Sequence, residues 1–251
     1  MGLNRFWARL AGVPLWIEVR WPYTVQLFEN YRIDPTAEDR EQYCALLGCE
    51  EPLRVSDAEI QREQGELITF QEDYLESLAI YRKICEKLLP LDILLFHCSA
   101  LEMDGRAYLF TAPSGTGKST HAALWRKVFG ERVRMINDDK PLLRREKDGS
   151  WRVFGTPYGG KDNLQANISQ TVKGIVLLER GAENRITPVS ARDAYPRLFA
   201  QTYKDTQAPE ALLHTMDLVG SLAKLPVFRL ECTISEQAVQ VAYDMLKGEA
   251  E

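Results

Sequence analysis

An α/β core over residues 73–251, preceded by a small, mainly β module over residues 1–72, is the architecture this sequence predicts. Three observations predict it. An apolar run at residues 107–110 enters a Gly-rich turn and leaves it in a helical pattern at 120–129. From residue 73 onward, short apolar runs alternate with segments of helical periodicity, the signature of strands packed under helices. Residues 6–33, by contrast, carry short alternating runs punctuated by Gly12, Pro14 and Pro22, which reads as half-buried strands joined by turns.

Within the first module, Trp16 with Glu18 and Val25 with Leu27 keep the two-residue period of a strand. Residues 34–51 are polar and predict a loop or a short helix around 43–47. Ser56 and Glu59 have capping-box spacing and predict a helical turn over 57–64, ended by Gly65. Asp73 opens a longer helix as N-cap, with Leu75, Leu78, Ala79, Ile84 and Leu88 on one side and Pro90 as its stop. A strand follows at 93–96, then His97. Asp104-Gly105 is a hairpin signal that returns the chain as strand 107–110.

Beyond the turn, residues 132–136 predict a strand that ends in Asn137-Asp138-Asp139. Lys147-Asp148-Gly149 marks a hairpin between 142–143 and 151–154. Residues 155–163 (GTPYGGKDN) form a Gly-rich polar stretch carrying Lys161, which predicts a surface lid or substrate loop. Residues 172–178 read as a buried strand, 190–200 as a helix interrupted at Pro196, and 211–222 as a helix. A strand at 226–233 and a last helix from Ser235 to Gly248 complete the chain. No internal repeat or low-complexity segment is present.

Composition narrows the classes of function. With 45% hydrophobic and 27% charged residues among 251, the chain is ordinary for a globular protein. Its net charge of -5 is spread over interspersed acidic and basic residues, so no nucleic-acid footprint is expected. The longest apolar run, 88–96, is broken by Pro90 and Asp92, which argues against a membrane span. Gly2 is followed by Phe6 where a myristoylation signal has Ser or Thr. Five scattered cysteines (Cys44, Cys49, Cys85, Cys98, Cys232) fit a reducing compartment, and Cys44 and Cys49 have no companion ligands for a metal. The expectation is a cytoplasmic protein.

The turn itself carries the chemistry. Ser114, Gly115, Thr116, Gly117, Lys118, Ser119 and Thr120 follow the phosphate-loop pattern, with Ala112 at the position of its first glycine. Glycines let successive N–H groups point inward at phosphate oxygens, Lys118 reaches the outer phosphates, and the Ser119 hydroxyl can sit on Mg²⁺. The positive end of the following helix faces the anion. Asp138 and Asp139 are the second half of such a site: one carboxylate can hold Mg²⁺ and the other can take a proton from an attacking hydroxyl. Which does which stays open. His97 is expected one hairpin before the turn, on the neighbouring strand, which brings it beside the phosphate turn.

In this order, His97, hairpin, phosphate turn, helix and Asp pair resemble the catalytic domain of bacterial HPr kinase/phosphorylase. The stretches LLFHCSALEMDGRAYLF, APSGTGKSTHAALW, NDDKPLL and GTPYGGKDN are similar to HPr-kinase-like proteins of anaerobic Gram-positive bacteria. The resemblance implies a mixed-sheet nucleotide core related to phosphoenolpyruvate carboxykinase. It also implies use of ATP with Mg²⁺ and transfer of the γ-phosphoryl to a hydroxyl: a Ser of a protein, a ribosomally made peptide, or free serine. Asp138, Asp139 and His97 match the family's catalytic positions, and Ser119 with the Asp pair its metal positions. Two departures stand out. The family's Glu-x-Arg-Gly signature is replaced here by the stretch bearing Lys161, which is assigned the task of neutralising the transferred phosphoryl, and the amino-terminal module differs. The rival reading is a regulator that uses bound nucleotide as a switch. Homo-oligomer formation stays open.

Overall fold

The computed structural model describes residues 2–48, 51–65 and 69–248, so Cys49 lies outside the described residues. The chain divides into two compact units, Met1–Pro90 and Leu91–Glu251.

The first unit begins with an antiparallel hairpin of β1 (Asn4–Leu10) and β2 (Val13–Val19). Its two turn residues, Ala11 and Gly12, both take positive φ, the backbone that matches the twist of paired strands. Trp7 and Trp16 face each other across the ladder and stack with ring centroids 5.8 Å apart. Helices surround this hairpin: α1 (Pro22–Leu27), α2 (Ala37–Leu47), α3 (Asp57–Gln61) and α4 (Glu72–Leu88). The strand expected from Val25 and Leu27 is therefore a helix. Pro22 sits at its first position, where the ring pre-sets helical φ and the missing N–H costs nothing. The capping box at Ser56 and Glu59 is present, and a second one, Thr36 with Asp39, starts α2. The sequence pattern grouped α4 with the core, yet it falls in the first unit. Its buried Glu76 accepts the backbone N–H groups of Arg20 (2.8 Å) and Trp21 (3.2 Å), which follow the hairpin.

The second unit is a curled, mixed sheet covered by helices. Its elements are β3 (Ile93–Leu95), β4 (Ser99–Met103), β5 (Arg106–Thr111), α5 (Lys118–Phe129), β6 (Val133–Asn137), β7 (Leu142–Arg145) and β8 (Trp151–Phe154). β9 (Ser169–Arg180), β10 (Arg185–Pro188), α6 (Ala191–Ala200), α7 (Pro209–Leu222), β11 (Val227–Cys232) and α8 (Glu236–Lys247) complete it. The sheet runs β3-β7-β8-β9-β5-β4-β6, with β11 also on β9 and β10 on β11. β5, β9 and β11 are mutually parallel, and the other pairings are antiparallel. The mixed α/β architecture expected for this part of the chain is thus present. Long β9 joins the two halves: Ser169 to Thr171 pair with β8, and later residues pair with β5 and β11.

Trp125, fully buried, anchors the layer between α5, α8 and the sheet together with Phe110, Tyr108, Phe228 and Leu246. Its indole N–H donates to His121 Nε2 at 3.0 Å, so the imidazole is held as a neutral acceptor. Burial pushes the His121 pKa down to about 4. An unfolded histidine titrates near 6.5, so between these values the unfolded chain binds a proton that the folded one refuses. Stability is therefore full above about pH 6.5 and declines as pH falls toward about 4, by roughly 2–3 kcal/mol from this group. Urea titrations across this range should show that loss in the wild type and a flatter profile in His121→Gln.

Candidate functional site

β5 ends at Thr111, whose hydroxyl donates to the backbone carbonyl of His97 at 2.8 Å, tying the strand to the segment before β4. The chain then turns through residues 112–117. Gly115 (φ 78°) and Gly117 (φ 122°) occupy backbone regions that L side chains rarely adopt, which is why glycine stands at both. α5 starts at Lys118, so the positive end of its dipole and its first free N–H groups face the turn. Lys118 is buried, and its Nζ donates to the Ala112 carbonyl at 2.9 Å, across the base of the turn. Burial pulls its pKa down, while Asp139, Cys98 and Asp138 oppose that shift. The lysine is thus held inside the turn and in electrostatic reach of both carboxylates.

Asn137, the last residue of β6, builds the other half. It is fully buried, and its Oδ1 accepts the backbone N–H groups of Asp139 and Lys140, each at 2.9 Å. Its Nδ2 donates to the carbonyl and hydroxyl oxygens of Thr156, each at 3.1 Å. One side chain therefore fixes both the Asp138-Asp139 turn and its attachment to the loop that follows β8. Neither Asn137 nor Thr156 was singled out in the sequence. The available signal was Asn directly before the pair, since Asn readily bonds backbone N–H groups just ahead of it.

The two carboxylates have different surroundings. Ser99 donates to Asp138 Oδ1 at 2.5 Å, and the Ser119 hydroxyl bonds the same carboxylate. Burial nevertheless raises the Asp138 pKa above the usual carboxylate value, with Asp162 and Asp139 adding to it. Asp139 faces His97 Nε2 at 3.3 Å and Lys140 Nζ at 2.5 Å. Burial alone would raise its pKa. The His97 hydrogen bond and the Lys140 ammonium outweigh burial and hold it at about 2. On its other side His97 Nδ1 meets Gln201 Oε1 at 3.0 Å, and the His97 N–H donates to the Gln201 carbonyl at 2.8 Å. His97 lies in the short link between β3 and β4 rather than on a strand, and Gln201, at the end of α6, positions it.

The loop at 155–163 departs from a uniformly exposed lid. Residues 155–159 are buried, and only 160–163 are exposed. Gly155 is small because a Cβ there would lie 1.9 Å from the Ala166 carbonyl oxygen and 2.7 Å from that of Ile136. It is a close-approach glycine, not a hinge. Gly160, with φ 75°, passes beside Asp139, where an added Cβ would sit 3.3 Å from the Asp139 Cβ. Asp162 is in electrostatic reach of Asp138. Lys161 sits on the exposed tip, with no hydrogen bond or ion pair among the described residues.

Arg180, at the end of β9, was also missed. Its guanidinium donates to the carbonyls of Gly115 (2.6 Å) and Thr116 (3.4 Å). In a trans peptide the N–H points opposite to the C=O, so holding these two carbonyls also sets the N–H groups of Thr116 and Gly117. Arg180→Lys keeps the charge but loses the fork. It should weaken binding of inorganic tripolyphosphate roughly as much as Arg180→Ala does; calorimetric titration of the two variants is the check.

For a metal, Ser119 and Asp138 offer two hard oxygen ligands. That suits Mg²⁺, which fills the rest of its shell from phosphates and water. Among the described residues no group of three or more His, Cys, Asp or Glu side chains is gathered to hold a metal ion by itself. No described helix is long and apolar enough to cross a membrane. Cys44, Cys85, Cys98 and Cys232 are free thiols.

No family model matches the chain, and no curated protein matches it. Among solved structures it is similar to the Hpr(Ser) kinase/phosphatase from Coxiella burnetii, with 13% identity and a TM-score of 0.33 over 61% of this chain and 93% of that one.

Proposed function

We propose that this chain is an ATP-dependent phosphotransferase that moves the γ-phosphoryl group to a hydroxyl. The acceptor is a Ser of a protein, a ribosomally made peptide, or free serine. One observation carries the reading: two carboxylates with different partners, Asp138 on Ser119 and Asp139 on His97, stand within electrostatic reach of Lys118. Binding a polyphosphate needs only the turn and its lysine. The second carboxylate, with its own histidine, is what chemistry on a hydroxyl adds.

In this mechanism the N–H groups of residues 114–118 and the Lys118 ammonium hold the outer phosphates. Ser119 and Asp138 would hold Mg²⁺, which when bound neutralises phosphate charge. Asp139 accepts the hydrogen bond of the acceptor hydroxyl, aims its oxygen along the line of attack, and takes its proton as the bond to the γ-phosphorus forms and that phosphorus parts from the bridging oxygen, which leaves on ADP. Phosphoryl transfer passes through a loose transition state, so placing the nucleophile matters more than strength of the base. With a pKa of about 2 Asp139 is a weak base, so its main contribution is to position the hydroxyl, and it receives the proton only late in transfer. His97 keeps Asp139 in place, and Gln201 keeps His97 in place. Lys161, on the exposed tip beside the Asp139 turn, supplies further positive charge to the transferred group.

The low basicity of Asp139 is also the observation that favours a nucleotide-dependent switch without transfer. An acceptor screen separates the two. With γ-labelled ATP and Mg²⁺, label should move to free serine, to a Ser peptide or to a Ser of a folded protein. Tight ATP binding with label retained on ATP against all three acceptor classes would favour the switch.

A further inference from the structure

Two cavities open beside the phosphate turn, and both are walled by Gly115, Thr116 and Arg180. The larger, about 760 Å³, extends under α6 past Pro196 and reaches Gln201, the partner of His97. The smaller, about 500 Å³, extends between α5 and the segment after β11, with Leu124, Leu178, Thr233 and Ile234 on its walls.

We infer that the smaller cavity is the nucleoside pocket of the phosphoryl donor, taking a purine base between Leu124 and Ile234. This rests on the nucleotide reading above and adds the direction in which the nucleotide lies. The sheet supplies the first argument. Its strands are ordered β11, β9, β5, β4, β6, and the carboxyl ends of the parallel strands form the edge where ligands of open α/β sheets bind. The phosphate turn follows β5 in the middle. Asp138 and Asp139 follow β6 on one side, and the smaller cavity lies at the ends of β9 and β11 on the other. A nucleotide with its outer phosphates toward the carboxylates must point its nucleoside the other way. The larger cavity is also walled by the end of β9, but it runs under α6 to Gln201 and hence to the His97–Asp139 end, where the acceptor must stand.

Composition supplies the second argument. Ile234 is 80% exposed, the most exposed of the large apolar side chains among the described residues, and it lines this cavity. Leu124 and Leu178 also line this cavity and make it apolar, and Thr233 adds polar groups, the mixture that suits a planar heterocycle with polar edges. A flat base laid against Ile234 and Leu124 would remove both from water, which accounts for an apolar side chain otherwise left in solvent.

The test compares Mg·ATP with inorganic tripolyphosphate, which fills the turn and has no base, by calorimetric titration of the full chain. Ile234→Ala, at an exposed position that leaves the core untouched, should weaken ATP by roughly fivefold or more and leave tripolyphosphate within about twofold. Ala200→Trp, which narrows the larger cavity, should change neither. As a second measure, the thiol of Ile234→Cys should be alkylated more slowly in the presence of ATP and at an unchanged rate with tripolyphosphate. An ATP-to-tripolyphosphate ratio unmoved by Ile234→Ala, with no ATP protection of position 234, overturns the inference. So does a selective loss of ATP in Ala200→Trp. If the wild-type chain binds neither probe, the phosphate site itself falls, an outcome distinct from a misplaced base.

Discussion

Replacing Lys118 by Ala removes the rise in melting temperature that Mg·ATP gives the wild-type chain. A ligand selective for the folded state stabilises it by about 2.7 kcal/mol at a hundred times its dissociation constant. In the proposed mechanism Lys118 is the cation that reaches the outer phosphates, and its ammonium is held inside the turn by the Ala112 carbonyl. The side chain is buried, so Lys118→Met, which fills a similar volume, serves as a companion that separates lost packing from lost charge. Both variants should melt in a single transition without ligand and should show no shift with ATP. A full ATP-dependent shift in either would contradict the placement of phosphate in this turn.

Asp138→Asn and Asp139→Asn should fail in different ways. Asp139→Asn keeps nucleotide affinity within a few-fold but slows transfer by roughly 10²- to 10⁴-fold, the usual worth of a positioned general base. Its amide no longer accepts the acceptor's proton, and the contact with His97 loses its charge. Asp138→Asn should lose the Mg²⁺-dependent part of ATP affinity, because Asp138 is the carboxylate in contact with Ser119. Titrating each variant with ATP in the presence and absence of Mg²⁺, and then timing single-turnover transfer, reads both effects. Undiminished transfer in both variants would rule out the division of labour between the two carboxylates.

Much of this site was legible in the sequence because its parts are local. Gly115 and Gly117 mark positive φ, the chain enters as β5 and leaves as α5, and Asp138-Asp139 ends a strand. What stayed hidden depends on long-range contact. Gln201 meets His97 only because α6 folds back toward the link between β3 and β4. Arg180 reaches the turn from β9 through strand pairing that no local pattern encodes. In the first unit, Val25 and Leu27 alternate as a strand would, but Pro22, three residues before Val25, opens a helix instead. At 155–163 composition suggested mobility throughout. There Gly155 instead serves close packing against Ala166 and Ile136, and exposure begins only at Gly160.

The most direct measurement is a crystal structure of the chain with Mg²⁺ and a non-hydrolysable ATP analogue. The β- and γ-phosphates should lie within the turn at residues 112–119, with Lys118 Nζ moved from the Ala112 carbonyl onto phosphate oxygen. Mg²⁺ should touch Ser119 and Asp138, and Asp139 should be left free to face an acceptor. Phosphates bound elsewhere, or Lys118 still on Ala112 with nucleotide present, would contradict the account.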